Sequence, residues 1–307
     1  VTGRRIAFFG SPSWAVPILQ ALDEHHQVVL VVTQPDKPVG RGLKLTPCPV
    51  AQHAQALGLT LAQPSKLRRN PEFLEQFRQV TPEVAVTAAY GKLLPEELLQ
   101  IPPYGFLNLH PSALPLLRGP APVPWTLIEG YSQTEICLMQ TDVGMDTGPV
   151  ISRWSTAVDP HETAPQLADR LRDQGIRLLL AALENLEHLE ATPQPAEGSH
   201  APMLDRETGR LRLDDPAQAI YNRHRGVQPW PGTWFDFQGK RIKVSRLEVA
   251  EGAGPPGTLL ALEAEGLVVA TGQGAIRLLE VQPEGKRPMP ALDWARGSRL
   301  MVGQLLQ

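Results

Sequence analysis

Within the stretch GFLNLHPSALPLLRG at residues 105–119, Asn108 and His110 stand two positions apart on a short apolar run that Pro111 stops. In an extended strand a spacing of two puts both side chains on one face, so an amide donor and an imidazole point into the same space. That pair suits acyl transfer. The amide N–H₂ can hydrogen-bond an oxygen on which negative charge develops, and the imidazole can steer or carry a proton. A second stretch, TDVGMDTGP at 141–149, sets Asp142 and Asp146 on a turn-rich segment with glycines at 144 and 148. Asp146 is the carboxylate expected in the same crevice, and residue type alone assigns the proton to neither His110 nor Asp146.

Other chemistries lack their residues. The first glycine turn, Gly10-Ser11-Pro12-Ser13, has no second and third glycine at the offsets of a dinucleotide fingerprint, which disfavours hydride transfer. The 8 histidines form no HExxH pattern and have no cysteine neighbours at ligand spacing, so no catalytic metal is expected. No G-x-S-x-G elbow occurs either.

The elements that must hold the Asn, His and Asp side chains are legible as patterns. Residues 5–10 (RIAFFG), 27–33 (QVVLVVT) and 83–87 (EVAVT) are short apolar runs, the latter two rich in β-branched residues, as expected of strands covered on both faces. Helical periodicity, first at 14–22, lies between them. Alternation of this kind predicts an α/β fold with a doubly wound, mostly parallel sheet, whose functional crevice opens at the carboxyl ends of its strands, after Thr33, Ala88 and Leu109. Residues 136–140 and 150–155 are further strand candidates on either side of the Asp146 turn, and Thr163 caps a long helix whose apolar stripe runs from Leu167 to Leu189. The Pro- and Gly-rich stretch ATPQPAEGSH at 191–200 then reads as an exposed linker. Five short β runs, at 232–237, 241–249, 257–262, 267–271 and 276–281, suggest a small β-barrel of the oligonucleotide-binding (OB) type. The expected division is therefore 1–190, a linker at 191–208, and 209–307.

Length and charge agree with that division. A chain of 307 residues is about twice the usual domain size, and 42% hydrophobic with 20% charged residues is an ordinary globular composition. With 31 prolines and 26 glycines, hard turns between packed elements are expected. Two cysteines make neither a disulfide framework nor a zinc site, and no apolar run has the length of a membrane span or signal peptide. A cytoplasmic monomer is the expectation. The net charge of −3 divides into −6 over residues 1–208 and +3 over 209–307, a local basic surface of the kind a polyanion would meet.

Taken together, N-x-H at 108–110, S-x-L-P at 112–115 and D-x-G at 142–144 resemble the motif set of the folate-dependent formyltransferases. The segment QPDKPVGRGLKLTP at 34–47 resembles the basic insertion of the branch whose acceptor is initiator methionyl-tRNA, where it enters the acceptor end. YNRHRGVQPWPGTW at 221–234 and GKRPM at 285–289 resemble that branch's carboxy-terminal domain, so the likeness spans essentially the whole chain. Ala113 stands where Leu is common, and Pro120 where Ala follows R-G.

The resemblance implies a Rossmann-like formyltransferase domain followed by an OB-like domain that meets tRNA, in a bacterial-type enzyme of translation initiation. Asn108, His110 and Asp146 become the catalytic trio. Ser112, Ala113, Leu114 and Pro115 match the folate segment, and Tyr90, Gly91, Lys92, Leu93 and Leu94 match a wall of the pterin pocket. The co-substrate implied is 10-formyltetrahydrofolate, whose formyl carbon is attacked by the α-amino group of the esterified methionine. For nucleic-acid contact, Lys37, Arg41 and Lys44 on the Gly-rich loop are first candidates, with Arg41 foremost. Arg241 and Lys243 follow, sharing one strand face opposite Ile242 and Val244. Arg223, Arg225, Lys286, Arg287, Arg296 and Arg299 are expected to add to the basic surface. Two alternatives are a related formyltransferase or hydrolase acting on a glycinamide nucleotide, a sugar nucleotide or the folate itself, and a catalytically silent binding protein.

Overall fold

Runs of β-branched and aromatic residues become the strands of a seven-stranded sheet, as described for residues 3–39 and 43–306 in a computed structural model of the chain. They are β1 (Arg5–Gly10), β2 (Gln27–Val32), β5 (Leu61–Ala62), β6 (Val84–Ala88), β7 (Phe106–His110), β8 (Gln133–Gln140) and β9 (Val150–Ala157); β3 (Lys37–Val39) and β4 (Lys44–Thr46) form a separate antiparallel hairpin. The sheet order is β5-β2-β1-β6-β7-β8-β9. It is parallel from β5 to β7, while β8 runs antiparallel to both β7 and β9. The mostly parallel sheet expected from the alternation is therefore present, and the turn carrying Asp146 is the reversal between β8 and β9.

Helices α1 (Val16–His25), α2 (Pro49–Ala56), α3 (Pro71–Gln79), α4 (Glu96–Leu99), α5 (Pro122–Ile128) and α6 (Ala164–Glu184) alternate with these strands. One face of the sheet buries Phe9, Leu30, Val32, Ala85 and Phe106 against Phe73, Leu74 and Phe77 of α3 and Leu98 of α4. Its centre is aromatic, with Phe9 in ring contact with Phe77, Tyr90 and Phe106 at 5.3–5.7 Å. α6 covers the opposite face, since a Cβ on Gly175 would lie 2.6 Å from Ile136 Cδ1 and 3.3 Å from Leu109 Cδ2, and Leu109 has the opposite parity to Phe106. Thr163 caps α6 as expected: its N–H and hydroxyl both donate to Gln166 Oε1, at 2.8 and 2.9 Å. The helix ends at Glu184 and a short 3₁₀ turn, Leu186–His188, continues the stripe toward Leu189.

The chain divides into two compact units, and the division is not a single cut. The first comprises Val1–Pro122, Gln133–Ala157 and Ala168–Pro202; the second comprises Val123–Ser132, Val158–Leu167 and Met203–Gln307. In the first unit, residues 191–202 do not behave as a free linker. Thr192 exchanges two 2.8 Å backbone bonds with Val150, Arg118 N–H donates to Ser199 O, and Ala201 N–H donates to Arg118 O. Pro, Gly and small polar residues suit an irregular strap as well as a linker, so composition does not separate the two.

The second unit contains α7 (Ala217–Gly226), β10 (Thr233–Phe237), β11 (Lys240–Ala250), β12 (Leu259–Leu262), β13 (Leu267–Ala270), β14 (Ala275–Pro283), β15 (Met289–Pro290) and α8 (Ala291–Gly297). The five expected strands appear near their expected places, in the antiparallel order β10-β11-β14-β13-β12, with β15 on β14. Between β10 and β12, the ends of that order, no pairing occurs among the described residues. Phe235, Phe237, Ile242, Val244, Ile276 and Leu278 build the core, and Trp294 of α8 meets both Phe rings edge-on at 6.0 and 5.5 Å. Within this unit Arg225 is only 5% exposed. Its guanidinium donates to Asp159 O (2.9 Å), Glu162 O (3.3 Å) and Asn222 Oδ1 (3.1 Å). Arg225 therefore holds residues 158–167 to α7 and does not belong to the basic surface, because its donors already have acceptors inside the protein. Half-buried Arg223 donates to Thr208 O at 3.0 Å.

Candidate active site

β7 delivers Asn108 and His110 at its carboxyl end, in register with Met139 and Cys137 of β8, and Asn108 also faces Thr87 of β6. Thr87 Oγ1 donates to Asn108 Oδ1 at 2.8 Å. With its oxygen engaged, the amide presents Nδ2 as a donor, and among the described residues no protein atom accepts from it. His110 is 4% exposed, and its Nε2 lies 3.0 Å from the carbonyl oxygen of Leu117. A carbonyl can only accept, so Nε2 carries the hydrogen. The Nδ1 atom then faces Asp146 Oδ2 at 3.6 Å. The expected His–Asp contact is thus present, across 36 positions of sequence.

Asp146 is held on a tightly built reversal. Its φ is +56°, in the left-handed region that non-glycine residues seldom occupy outside turns, and surrounding contacts fix it there. Its Oδ2 accepts from Gly119 N–H at 2.8 Å. Asp142 organises the turn from within, accepting from Gly144 N–H at 3.0 Å and from the Thr147 hydroxyl at 2.8 Å. Glycine is required at 148, where a Cβ would run into the carbonyl oxygen of Gln140, while at 144 a Cβ would displace the Thr147 hydroxyl from Asp142. Asp142 is therefore a scaffold and Asp146 the carboxylate presented to His110.

The residues matched to the folate segment divide between interior and surface. Ser112 is fully buried, its hydroxyl donating to Leu116 O at 2.7 Å. Leu114 packs with Cys137, Met139 and Val150, while Ala113 and Pro115 are half-buried. Cys137 donates its thiol to Ser112 O at 3.2 Å, and burial pushes that thiol up to about 11. On the loop after β6, Tyr90 and Leu94 lie in the core beside Phe9 and Leu98. Burial raises the Tyr90 phenol, and the Tyr90 carbonyl accepts from Gln34 Nε2 at 2.9 Å. Gly91, at φ +77°, and Leu93 are exposed. Lys92 Nζ donates to Pro64 O and Ser65 O at 3.2 and 3.0 Å, and burial, with help from nearby Lys37, lowers it from the ordinary lysine value. A separate cavity of about 530 Å³ at the other end of β7, lined in part by Tyr104, Gly105, Leu107 and Gln140, includes none of the three polar residues.

The candidate nucleic-acid contacts are set on two hairpins, one in each unit. Lys37 on β3 donates to Gln34 Oε1 at 2.8 Å, and Lys44 on β4 is exposed beside exposed Leu43 and Leu45. Arg41, foremost from the sequence, lies outside the described residues. On β11 the alternation holds: Ile242 and Val244 are each 2% exposed, Lys243 is exposed, and Arg241 stacks its guanidinium 3.8 Å from the Trp234 ring centroid.

Sequence reasoning missed Thr87, Arg118 and Gln194. Arg118 donates to Gln194 Oε1, Pro195 O and Ala196 O, and only the R-G dipeptide after the S-x-L-P segment marked it in the sequence. No local pattern marked Gln194. Among the described residues no group of three or more His, Cys, Asp or Glu side chains could hold a metal ion, and no helix is long and apolar enough to cross a membrane.

Comparison with known proteins matches residues 4–183 to a family model described as formyl transferase and residues 203–299 to one described as formyl transferase, C-terminal domain. The chain is similar to a methionyl-tRNA formyltransferase of Thermus thermophilus, 54% identical over 302 residues covering 98% of this chain and 99% of that protein. One from Deinococcus radiodurans is 51% identical over 304 residues, covering 98% and 95%. Among solved structures, HypX from Aquifex aeolicus in complex with tetrahydrofolic acid superposes with a TM-score of 0.65 at 19% identity, covering 96% of this chain and 47% of that one. An N-formyltransferase from Helicobacter canadensis in complex with folinic acid and dTDP-3-aminofucose gives 0.68 at 14%, covering 90% and 98%. At those identities the solved structures establish the shared fold alone.

Proposed function

The chain belongs to the formyl transferase family, and from that premise we propose that it transfers the formyl group of 10-formyltetrahydrofolate to the free α-amino group of initiator methionyl-tRNA in the cytoplasm. The acceptor is argued from the relatives, which bear that activity in their names over nearly the full length of this chain. The observation that carries the chemistry is the disposition of three groups: an open Asn108 Nδ2 donor two residues from His110, whose Nδ1 faces Asp146 Oδ2 at 3.6 Å. That donor set fits a formyl carbonyl next to a nitrogen that must gain a proton. All three groups come from one chain, consistent with action as a monomer.

In this reading Asn108 Nδ2 donates to the formyl oxygen as the amine nitrogen bonds to the formyl carbon and negative charge gathers on that oxygen. The amine must lose one proton and the departing folate nitrogen must gain one. The Nδ1–Oδ2 pair of His110 and Asp146 receives the first and returns it to the second, while Leu117 O keeps the ring oriented through Nε2. Lys37, Arg41, Lys44, Arg241 and Lys243 meet the phosphates of the acceptor, and Ser112, Ala113, Leu114 and Pro115, with the loop from Tyr90 to Leu94, shape the folate side. Residues 1–190 carry the chemistry and residues 209–307 the tRNA contact in this assignment.

The test is formyl transfer from labelled 10-formyltetrahydrofolate to methionyl-tRNA, to an amino-sugar nucleotide and to a glycinamide nucleotide, with wild type and Asp146→Asn. Label on methionyl-tRNA alone, lost in Asp146→Asn, is expected. Transfer to one of the other acceptors in preference would overturn the assignment of the acceptor.

A further inference from the structure

The strap at residues 191–202 contributes a side chain to the back of the candidate active site. Gln194 Nε2 donates to two carbonyls of the reversal between β8 and β9, Asp146 O at 2.9 Å and Gly148 O at 2.7 Å. Its Oε1 accepts from Nε and a terminal nitrogen of Arg118, at 3.1 and 2.9 Å. The two neighbours of Arg118 touch the trio directly. Leu117 O accepts from His110 Nε2, and Gly119 N–H donates to Asp146 Oδ2 at 2.8 Å.

We infer that Gln194 is a positioning residue for formyl transfer, fixing the approach of Asp146 to His110 by tying the Asp146 main chain to the Arg118 segment that orients both side chains. The inference rests on the active-site reading above. Two opposed loops meet at a contact of 3.6 Å, and one amide bonds to both of them. The chemistry of the position is narrow. It needs two N–H donors toward carbonyls and an acceptor toward a guanidinium, which only a primary amide supplies in one side chain. Asp146 gives the staple its purpose, because a non-glycine residue at φ +56° stays there only if its surroundings hold it.

The amide's two halves can be separated. Gln194→Ala removes both. Gln194→Glu keeps a partner for Arg118 but has no donor for Asp146 O and Gly148 O and sets a carboxylate against them. Full-length wild type, Gln194→Ala, Gln194→Glu, Asp146→Asn and the double variant Asp146→Asn/Gln194→Glu are compared in formyl transfer to methionyl-tRNA, each checked by circular dichroism. Both Gln194 variants should lose roughly tenfold to a hundredfold in kcat, the scale of a small misplacement at a reacting centre. KM for each substrate should stay within about twofold, and the double variant should be no slower than Asp146→Asn. Should Gln194→Ala prove unfolded, Gln194→Glu decides alone. Gln194 variants turning over as wild type, or a double variant slowed by the product of the single effects, would overturn the inference while leaving the active site intact. If Asp146→Asn itself turns over as wild type, the active-site reading falls and takes this one with it.

Discussion

Thr87 donates its hydroxyl proton to Asn108 Oδ1 across 2.8 Å, which leaves Nδ2 as the free end of the amide. An amide free to rotate would offer oxygen or nitrogen with little preference; one tied at its oxygen offers N–H. Asn108→Asp keeps an acceptor for Thr87 and nearly the same volume, but has no donor for the developing charge. Its kcat should fall on the order of a hundredfold to a thousandfold, with the thermal midpoint within a few degrees of wild type. Turnover within threefold of wild type would remove Asn108 from the mechanism.

Salt should reveal which lysines meet the acceptor. Lys44 and Lys243 are exposed, and each phosphate contact adds about 0.7–0.9 to the slope of log affinity against log salt. Lys44→Gln and Lys243→Gln should each lower that slope by about this amount for methionyl-tRNA and leave the KM for 10-formyltetrahydrofolate unchanged. An unchanged slope would place the residue off the tRNA path.

His224 supplies a pH dependence in the second unit. It is buried, and its Nδ1 donates to Thr233 Oγ1 at 2.7 Å, whose hydroxyl in turn donates to Val244 O at 2.9 Å. Burial holds it neutral, with its pKa lowered from 6.5 to about 4. The unfolded chain then binds more protons than the folded one between those values. The contribution is fully present above pH 6.5 and is lost as pH falls toward 4, by roughly 3 kcal/mol in all. In an NMR titration the His224 ring should keep its neutral shifts at pH 5; a midpoint near 6.5 would contradict the assignment.

The two thiols should differ in reactivity. Cys137 is buried with its pKa raised to about 11, whereas Cys48 is half-buried. A thiol reagent at pH 8 should label Cys48 well before Cys137, read by mass spectrometry of the labelled peptides. Labelling at equal rates would show that the interior under β8 opens readily.

Much of the fold is legible in the sequence. The β-branched runs at 27–33 and 83–87 became β2 and β6, because a strand covered on both faces must be apolar throughout. Asn108 and His110 followed from strand parity and Asp146 from its glycine-braced turn. What the sequence hid is long-range. Gln194 reaches Asp146 over 48 positions with no period to betray it. Residues 123–132 and 158–167 belong to the second unit, the latter held there by Arg225, an arginine that reads from the sequence as surface charge. Tyr90 and Leu94 belong to an aromatic core that a motif match along one loop does not register.

With Nε2 of His110 committed to a peptide oxygen, the imidazole cannot pass a hydrogen ion through from one edge to the other as a wire does. In the proposed mechanism the proton therefore enters and leaves by the same door, the Asp146 side, with the ring as a waiting room. On that reading an acceptor whose nitrogen cannot reach that doorway would bind without being formylated, and the ring's fixed tautomer would act as a filter on geometry.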